Sequence, residues 1–233
     1  QRVNLYVLFS LTLLRVLHGA CLLYVLGLAC IAYYLAKATV ELPHGLLLVW
    51  AWHCATFLVI RVYEGIPFAT LGSHVAVLDQ HRGMLRWHIH YNLLLLRMIS
   101  FACDYRWQYH KQAGRLKRLA PDTPPEPDHD LRTRTELWQN PKSYNLLNYL
   151  AYTLYPPLYI AGPTSTFNAF VSQLEAPSSA LSVTAIARYL ARAVGCWFCM
   201  EVITHKLWFM AVARNKLWVP LAAAKGHALS PLE

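Results

Sequence analysis

Long stretches without charge dominate this sequence and limit what it can fold into. The longest, from Ser143 to Leu174, contains 32 uncharged residues, and Ala20–Ala36 and Leu42–Ile60 contain 17 and 19. A helix needs about 20 mostly apolar residues to cross the hydrocarbon core of a bilayer. Charged residues make up 14% of the chain, against about 25% in soluble domains, so a soluble helical domain would lack surface charge. The sequence therefore predicts an all-α protein with several transmembrane helices.

Apolar patterning predicts where those helices lie. We place them at 3–17, 20–37, 45–63, 84–107, 144–161 and 181–213, with a short amphipathic helix near 215–224. The first two flank His18-Gly19 and form either one bent helix or two spans. The segment 84–107 also carries polar residues, namely Arg86, His88, His90, Asn92 and Arg97. Because polar groups at membrane depth face protein or water, this helix should pack against other helices or lie at the membrane interface.

One hydrophilic connection, residues 119–142, separates the apolar segments. Its five prolines and alternating charges predict an extended, solvated loop. The loop divides the chain into N-terminal transmembrane helices at 1–118 and C-terminal transmembrane helices at 143–233, without separating independent domains. From Arg106 to Lys142 there are eight Lys or Arg and five acids. Since positively charged loops tend to stay in the cytoplasm, we expect this loop on the cytoplasmic side.

The net charge of +9 bears on which partners the chain binds. The basic loop lacks the aromatic and basic platform that is typical of nucleic-acid-binding proteins. Attraction to anionic lipid headgroups accounts for the charge. We therefore expect membrane lipids, and not nucleic acid, as partners.

The segment 148–167, "NYLAYTLYPPLYIAGPTSTF", contains helix-breaking residues inside an apolar run. Proline lacks an amide hydrogen and clashes with the preceding turn. We therefore predict an interrupted helix that bends at Pro156-Pro157 and ends near Gly162-Pro163. Proline also restricts the residue before it, so Tyr155 and Pro156 should both leave helical geometry.

A broken backbone at membrane depth persists only where it is buried in protein or lines a cavity. The segment 148–167 is thus either a proline-kinked helix packed in the interior or the wall of a substrate tunnel. Its tyrosines supply hydroxyls to such a wall, or they form an interfacial belt. We expect hydroxyls of Thr153, Tyr155 or Thr164 to bond the carbonyls freed at the bend, and the helix carrying His205 to pack against the segment.

The cysteine and histidine patterns do not predict a metal site. Cys196 and Cys199 form one C-x-x-C pair without a second pair, so a four-thiolate zinc site is not built. The six cysteines are expected to be buried free thiols. His88 and His90, two residues apart on a helix, point to different sides, and no H-E-x-x-H motif is present.

Two motifs resemble those of the membrane-bound O-acyltransferase superfamily, in the branch with the glycerol-uptake proteins of fungi and hedgehog acyltransferase. The first, R-x-I-S-F-x-x-D, is matched by Arg97, Ile99, Ser100, Phe101 and Asp104. The second, Y-x-L-Y-x-P-L-Y-x-x-G-P, follows the hydrophilic loop and is matched by Tyr152, Leu154, Tyr155, Pro157, Leu158, Tyr159, Gly162 and Pro163. The stretches "CMEVITHKLW" and "LLRVLHGACLLYVLGLACIAYYLAKA" are also similar to segments of the family.

This resemblance implies acyl transfer inside a membrane, usually that of the endoplasmic reticulum, with another organelle membrane as the alternative. The substrates are a long-chain acyl-CoA and a lipid, glycerol-type or protein acceptor, without a tightly bound cofactor or a metal. A histidine, aided by Asp or Asn, would activate the acceptor as a general base. The family-motif and tunnel-lining positions are Arg97, Asp104, Tyr152, Tyr155, Pro157, Tyr159, Gly162 and Pro163.

The sequence departs from the family in one respect. The catalytic histidine of the family follows a "W-R-x-x-D" or "W-H-R-S-x-N" type stretch and an "R-Y-I-Y-I-P-L-G" stretch, and neither occurs here. We therefore expect the N-terminal part of such a protein, with no catalytic residue in this chain. One candidate within the chain is His205 with Glu201, four residues earlier on the same helix face, although such a pair also serves as a packing contact.

Three functions remain open from the sequence. The first is an acyltransferase whose catalytic half lies elsewhere, which leaves open whether this chain alone is an enzyme. The second is a non-catalytic structural subunit of a larger membrane complex, derived from the family and bound to other membrane subunits. A transporter is disfavoured because a second broken segment, as an inverted repeat requires, is not found.

Overall fold

The computed structural model describes residues 2–112, 134–135, 139–160, 165–177, 182–206 and 208. Within these ranges the regular elements are α-helices and 3₁₀ helices, and no strand is present. The chain divides into two compact units, Gln1–Ser178 and Ser179–Glu233, which are described separately. The predicted all-α class is confirmed.

The α-helices agree with most of the predicted segments. They are α1 Arg2–His18, α2 Leu22–Ala38, α3 Gly45–Val62, α4 Trp87–Gln112, α5 Leu146–Thr153, α6 Pro156–Ile160, α7 Phe167–Glu175 and α8 Val183–Lys206. The 3₁₀ helices Phe68–Thr70, Ser73–His81 and Pro141–Ser143 were not predicted, nor was α7 as a separate helix. The amphipathic helix predicted near 215–224 lies outside the described residues.

One helix of the described part, α3, is long and apolar enough to cross a membrane. It contains 18 residues and has a mean hydropathy of 1.7. The apolar helix α2, with 17 residues, falls just short of that length. Large apolar side chains on α3 such as Leu47, Trp50 and Leu58 are exposed, as in a helix that contacts lipid chains. The structure thus supports a membrane helix at α3, and the larger number of spans stays a prediction.

The corner between α1 and α2 shows that these are two helices and not one bent helix. Gly19 has a φ of +57°, a conformation that costs other residues about 1–2 kcal/mol. A Cβ at this position would collide with the carbonyl oxygen of His81. The amide of Ala20 donates to that carbonyl at 2.9 Å, and the amide of Leu85 donates to the carbonyl of Leu17 at 2.8 Å. The corner therefore requires glycine.

Helix α4 lies at the centre of the first unit, where it packs against α2, α3, α5, α6 and α7. The position of α4 resolves the two alternatives for the segment 84–107, because the helix is packed among other helices. Its buried residues include Arg97 and Asp104 as well as Tyr91, Met98 and Phe101. Polar side chains in this helix must therefore find their partners inside the protein.

The hydrophilic connection is not solvated throughout. Arg134, inside the predicted loop 119–142, is completely buried. Its Nη1 atom donates to the carbonyl of Ala176 at 2.7 Å and to the Ser172 hydroxyl at 3.2 Å. The prediction of a solvated loop is wrong at this position, because the guanidinium bonds the C-terminal end of α7, where a helix presents free carbonyls. Most of the loop lies outside the described residues, and its cytoplasmic location stays a prediction.

The cysteines are free, and their burial differs from the prediction. Cys21 is buried, Cys30 and Cys103 are partly buried, and Cys54, Cys196 and Cys199 are exposed. The expectation of buried thiols is therefore wrong for the last three. Apolar sequence surroundings do not reveal whether a helix face meets protein, and α8 has no buried residue among those described.

Candidate functional site

The predicted interruption lies between α5 and α6. Helix α5 ends at Thr153, and α6 begins at Pro156, so Leu154 and Tyr155 leave the helix. The prediction is confirmed for Tyr155 and wrong for Pro156. Proline suits the first position of a helix, where its missing N–H is not needed and its fixed φ is already helical. The second break, at 161–164 with Gly162 and Pro163, lies outside the described residues.

Three of the four tyrosines in 148–167 are buried, which argues against an interfacial belt. Tyr149 and Tyr152 are completely buried, and Tyr159 is 1% exposed. The hydroxyl of Tyr149 donates to the carbonyl of Ala29 in α2 at 2.9 Å. The hydroxyl of Tyr152 donates to the carbonyl of Ser165 at 2.6 Å. The segment is therefore an interior element, as predicted.

Arg97 bonds one of the carbonyls that the prolines leave free. In an α-helix the carbonyl of Thr153 would accept from the amide of residue 157, but Pro157 has no N–H. The Nη1 atom of Arg97 donates to the Thr153 carbonyl instead, at 3.1 Å. The predicted local hydroxyl partner is wrong here, because the Thr153 hydroxyl donates to the carbonyl of Tyr149 at 2.8 Å, within α5.

Asp104 has the matching role at the start of α7. Its Oδ2 atom accepts from the amide of Asn168 at 3.1 Å. Arg97 and Asp104 are seven residues apart on α4, which is about two turns, and so they lie on the same side of the helix. Cations favour helix C-termini and anions favour N-termini. The two charges of the first motif thus hold the end of α5 and the start of α7.

The guanidinium of Arg97 keeps an unused donor. The residue is 2% exposed, and its Nε has no hydrogen-bond partner in the described part of the chain. A buried polar group without a partner costs about 1–3 kcal/mol. This N–H is therefore available to an acceptor atom that enters the interior.

Tyr159 joins two histidines that the sequence did not assign to a site. Nδ1 of His18 lies 3.1 Å from the carbonyl of Leu85, and Nε2 lies 3.0 Å from the Tyr159 hydroxyl. Because a carbonyl only accepts, Nδ1 carries the proton and Nε2 accepts from the tyrosine. The ring of His90 stacks on Tyr159 at a centroid distance of 5.7 Å. No spacing rule pointed to this cluster, since His18 and Tyr159 are far apart in the chain.

Tyr155 has a different environment from the other tyrosines. It is half-buried and lines an open groove of about 340 Å³ with Tyr6, Leu158, Ser165, Phe170 and Gln173 among others. Pro157 is exposed. Of the described tunnel candidates, Tyr155 thus borders an open space, whereas Tyr152 and Tyr159 are enclosed by other side chains. The tunnel itself stays a prediction.

The Glu201–His205 pair lies on α8, as the spacing predicts. Nδ1 of His205 lies 2.9 Å from the backbone carbonyl of Glu201 and 3.9 Å from its Oε1. Both side chains are more than half exposed, at 73% and 52%. The packing of this helix against the interrupted segment stays a prediction.

Among the described residues, no three His, Cys, Asp or Glu side chains come close enough together to hold a metal ion. His88 and His90 do point to different sides. His90 contacts Tyr159, whereas the ring of His88 lies beside Gly65. The interior between α4 and α6 thus provides guanidinium, hydroxyl and imidazole groups.

The fold and the site define an all-helical protein whose buried, proline-interrupted helix is held by charged side chains of a neighbouring helix. The family model of MBOAT, the membrane-bound O-acyltransferase family, matches residues 46–223. The chain belongs to this family, as its two motifs suggested.

Curated relatives carry the same family name. The chain is 30% identical over 229 residues to membrane-bound O-acyltransferase gup1 of Schizosaccharomyces pombe. The matched region covers 97% of this chain and 39% of the relative. It is 29% identical over 174 residues to membrane-bound O-acyltransferase GUP1 of Saccharomyces cerevisiae, covering 73% of this chain and 31% of the relative. The chain thus spans well under half the length of these relatives. No solved structure matches it.

Proposed function

We propose that this chain is the N-terminal part of a multi-span membrane-bound O-acyltransferase. The protein transfers a long-chain acyl group from acyl-CoA to a lipid, glycerol-type or protein acceptor, in the endoplasmic reticulum or another organelle membrane. Family membership supports the reaction class. The observation that carries the proposal is the buried break of α5–α6, which Arg97 holds through the Thr153 carbonyl.

In this reaction the acceptor hydroxyl or amine attacks the thioester carbonyl. Its proton passes to a general base, the carbon–sulfur bond breaks, and CoA leaves as the thiol after protonation. We assign the base to a histidine outside residues 1–233, because the stretches that precede it in the family are missing here. The attack places negative charge on the thioester carbonyl oxygen, and fixed hydrogen-bond donors in a water-poor interior stabilise such an oxygen strongly.

The residues of this chain form the wall of the tunnel in this proposal. The Arg97 Nε–H supplies an unused donor, and Tyr155 borders an open groove. Tyr152, Tyr159, Gly162 and Pro163 complete the segment, and Asp104 positions the following helix. These are binding and positioning roles, and the chain holds no residue that we assign to proton transfer.

Activity measurements on two proteins test this proposal. The 233-residue chain and a longer protein that adds the downstream histidine segment are reconstituted with long-chain acyl-CoA and lysolipid, glycerol or peptide amine acceptors. We expect turnover from the longer protein and none from the chain alone. Turnover by the chain alone that disappears in His205→Ala would overturn the assignment and make His205 the base.

A second candidate function is that of a non-catalytic structural subunit bound to other membrane subunits. The observation in its favour is that charged residues hold helix ends. The guanidinium of Arg106 likewise holds the turn between α2 and α3, where it donates to the carbonyls of Val40 and Leu42 at 3.0 and 2.8 Å. Sequencing of the transcript beyond the codon for Glu233 discriminates the two. A reading frame with the downstream Asp and His supports the enzyme, and a stop codon supports the subunit.

A further inference from the structure

An apolar groove of about 400 Å³ lies between α3 and α4, away from the interrupted helix. Its apolar walls come from Trp50, Phe57 and Leu58 on α3 and from Leu95, Leu96 and Ile99 on α4. The volume falls within the range of about 300–1,000 Å³ that is typical of small-molecule sites. The lining selects for hydrocarbon.

His53 is the polar group in the wall of this groove that lacks a partner. The residue is 1% exposed. Its Nδ1 lies 2.8 Å from the carbonyl of Val49, which only accepts, so Nδ1 carries the proton and Nε2 is an acceptor. In the part of the chain that the structure describes, this Nε2 atom is buried and has no hydrogen-bond partner. Such an atom calls for a ligand with one O–H or N–H donor.

The depth of His53 restricts the ligand further. His53 is eight residues from Gly45 and nine from Val62, the ends of α3. At 1.5 Å per residue it lies roughly 12–14 Å from either end. In a helix that crosses the membrane, this position is near the midplane, where charged groups are costly. The ligand must therefore be neutral.

We propose that this groove binds a neutral long-chain lipid alcohol, whose hydroxyl donates to Nε2 of His53 while its chain lies along the apolar walls. A flexible chain keeps its whole length in hydrocarbon when its hydroxyl is at this depth. A rigid sterol in the same pose would push its apolar rings towards the headgroups. The proposal concerns the outer face of α3 and α4, and it does not depend on acyl transfer.

The hydroxyl of the ligand can reach Nε2 of His53 if the side chains next to it on α3, Trp50 and Phe57, change rotamer. Trp50 and Phe57 are 44% and 38% exposed, and their rings can turn without disturbing the buried core. Asn92, also in the lining, is exposed and has no hydrogen bond among the described residues. A ligand that carries further polar atoms could use Asn92, which makes a single-hydroxyl probe the cleaner test.

The test compares a photoreactive long-chain alcohol with its methyl ether, which has the same chain but no donor. The 233-residue protein is reconstituted in lipid nanodiscs and labelled with each probe over a range of concentrations. Mass spectrometry then locates the label. We expect the alcohol to label α3 and α4 at about fivefold lower concentration than the ether, as one hydrogen bond predicts. His53→Leu should remove this difference and leave labelling by the ether unchanged.

Two controls keep the result interpretable. Leu96 lines the groove and is 47% exposed. Leu96→Trp places a ring in the groove from its open side, leaves His53 in place, and should abolish labelling by both probes. His81→Leu removes an exposed imidazole elsewhere and should change nothing. Equal labelling by alcohol and ether, a difference that survives in His53→Leu, stronger competition by a sterol than by the alcohol, or label outside the groove would each overturn the proposal. If His53→Leu fails to fold, the alcohol–ether difference in the unchanged protein tests the donor, and loss of labelling in Leu96→Trp tests whether the groove is the site.

Discussion

Two polar pairs each lie on one face of a helix by their spacing in the sequence, but one pair is buried in the structure and the other is exposed. Arg97 and Asp104 are buried in α4 and bond backbone groups of other helices. Glu201 and His205 are exposed on α8, and the one hydrogen bond of His205 in the described chain stays within its own helix. Helix spacing therefore identifies residues on one face, whereas long-range partners decide which of them maintain the fold.

The largest expected effect is at Arg97, in the buried pair. Arg97→Ala leaves the Thr153 carbonyl without its donor and opens a cavity beside α5. We expect a loss of about 3–4 kcal/mol in the free energy of unfolding. His205→Ala should change it by less than about 0.5 kcal/mol, as exposed substitutions do. Denaturant unfolding in detergent micelles measures both, and equal stabilities of the two variants would contradict the assigned role of Arg97.

Two glycines, one at the α1–α2 corner and one on α8, should respond to substitution in opposite directions. Gly19→Ala forces a side chain into a left-handed conformation and against the His81 carbonyl, and we expect a loss of about 3 kcal/mol. A Cβ added at Gly195, in α8, would meet no heavy atom of another described residue within 4 Å outside the helix's own nearby backbone. There alanine should stabilise the helix by about 0.5–1 kcal/mol. Thermal unfolding of both variants tests this, and a stable Gly19→Ala protein would show that the α1–α2 corner is not fixed.

A smaller effect is expected for the hydroxyl that joins Tyr159 to His18. Tyr159→Phe keeps the aromatic contacts and removes one donor, which should cost about 1–2 kcal/mol. Tyr155→Phe is the matched control, since the Tyr155 hydroxyl makes no hydrogen bond in the described part of the chain, and its expected loss is near zero. Nitrogen chemical shifts of His18 should change in the first variant and not in the second. Identical shifts would rule out the hydrogen bond.

The smallest effect concerns a partly exposed carboxylate, Asp79, in the 3₁₀ helix Ser73–His81. The hydrogen bond from Arg82 is the main cause that lowers the pKa of Asp79, and the amides of Ala69 and Phe68 also bond this side chain. Because the folded pKa is lowered, the contribution to stability is present above the ordinary pKa and is lost as the pH falls through the folded value.

Arg82→Ala should therefore raise the pKa of Asp79 towards its ordinary value of about 3.9. An NMR titration of the Asp79 carboxyl carbon measures this shift. An Asp79 titration that is the same in both proteins would remove the assigned ion pair.

Rules that act on neighbouring residues predicted part of the candidate site. Proline chemistry predicted that Tyr155 leaves the helix, but it did not show that Pro156 begins the next one, because proline is tolerated in the first helical turn. The same chemistry predicted a free carbonyl near the bend and did not identify Arg97 as its donor. The partner is 56 residues away in sequence, and only the packing of α4 against α5 and α6 brings them together.

The sequence by itself determined the helical class, the position of the break, and the family, since uncharged runs, prolines and motif residues act locally or are recognised as patterns. Only the tertiary structure decided the burial of Arg134, the bond between Tyr159 and His18, and the unpartnered acceptor of His53. The physical reason is that burial and hydrogen bonding depend on which helix faces meet. That choice depends on contacts between segments far apart in the chain, and periodicity within one segment does not encode it.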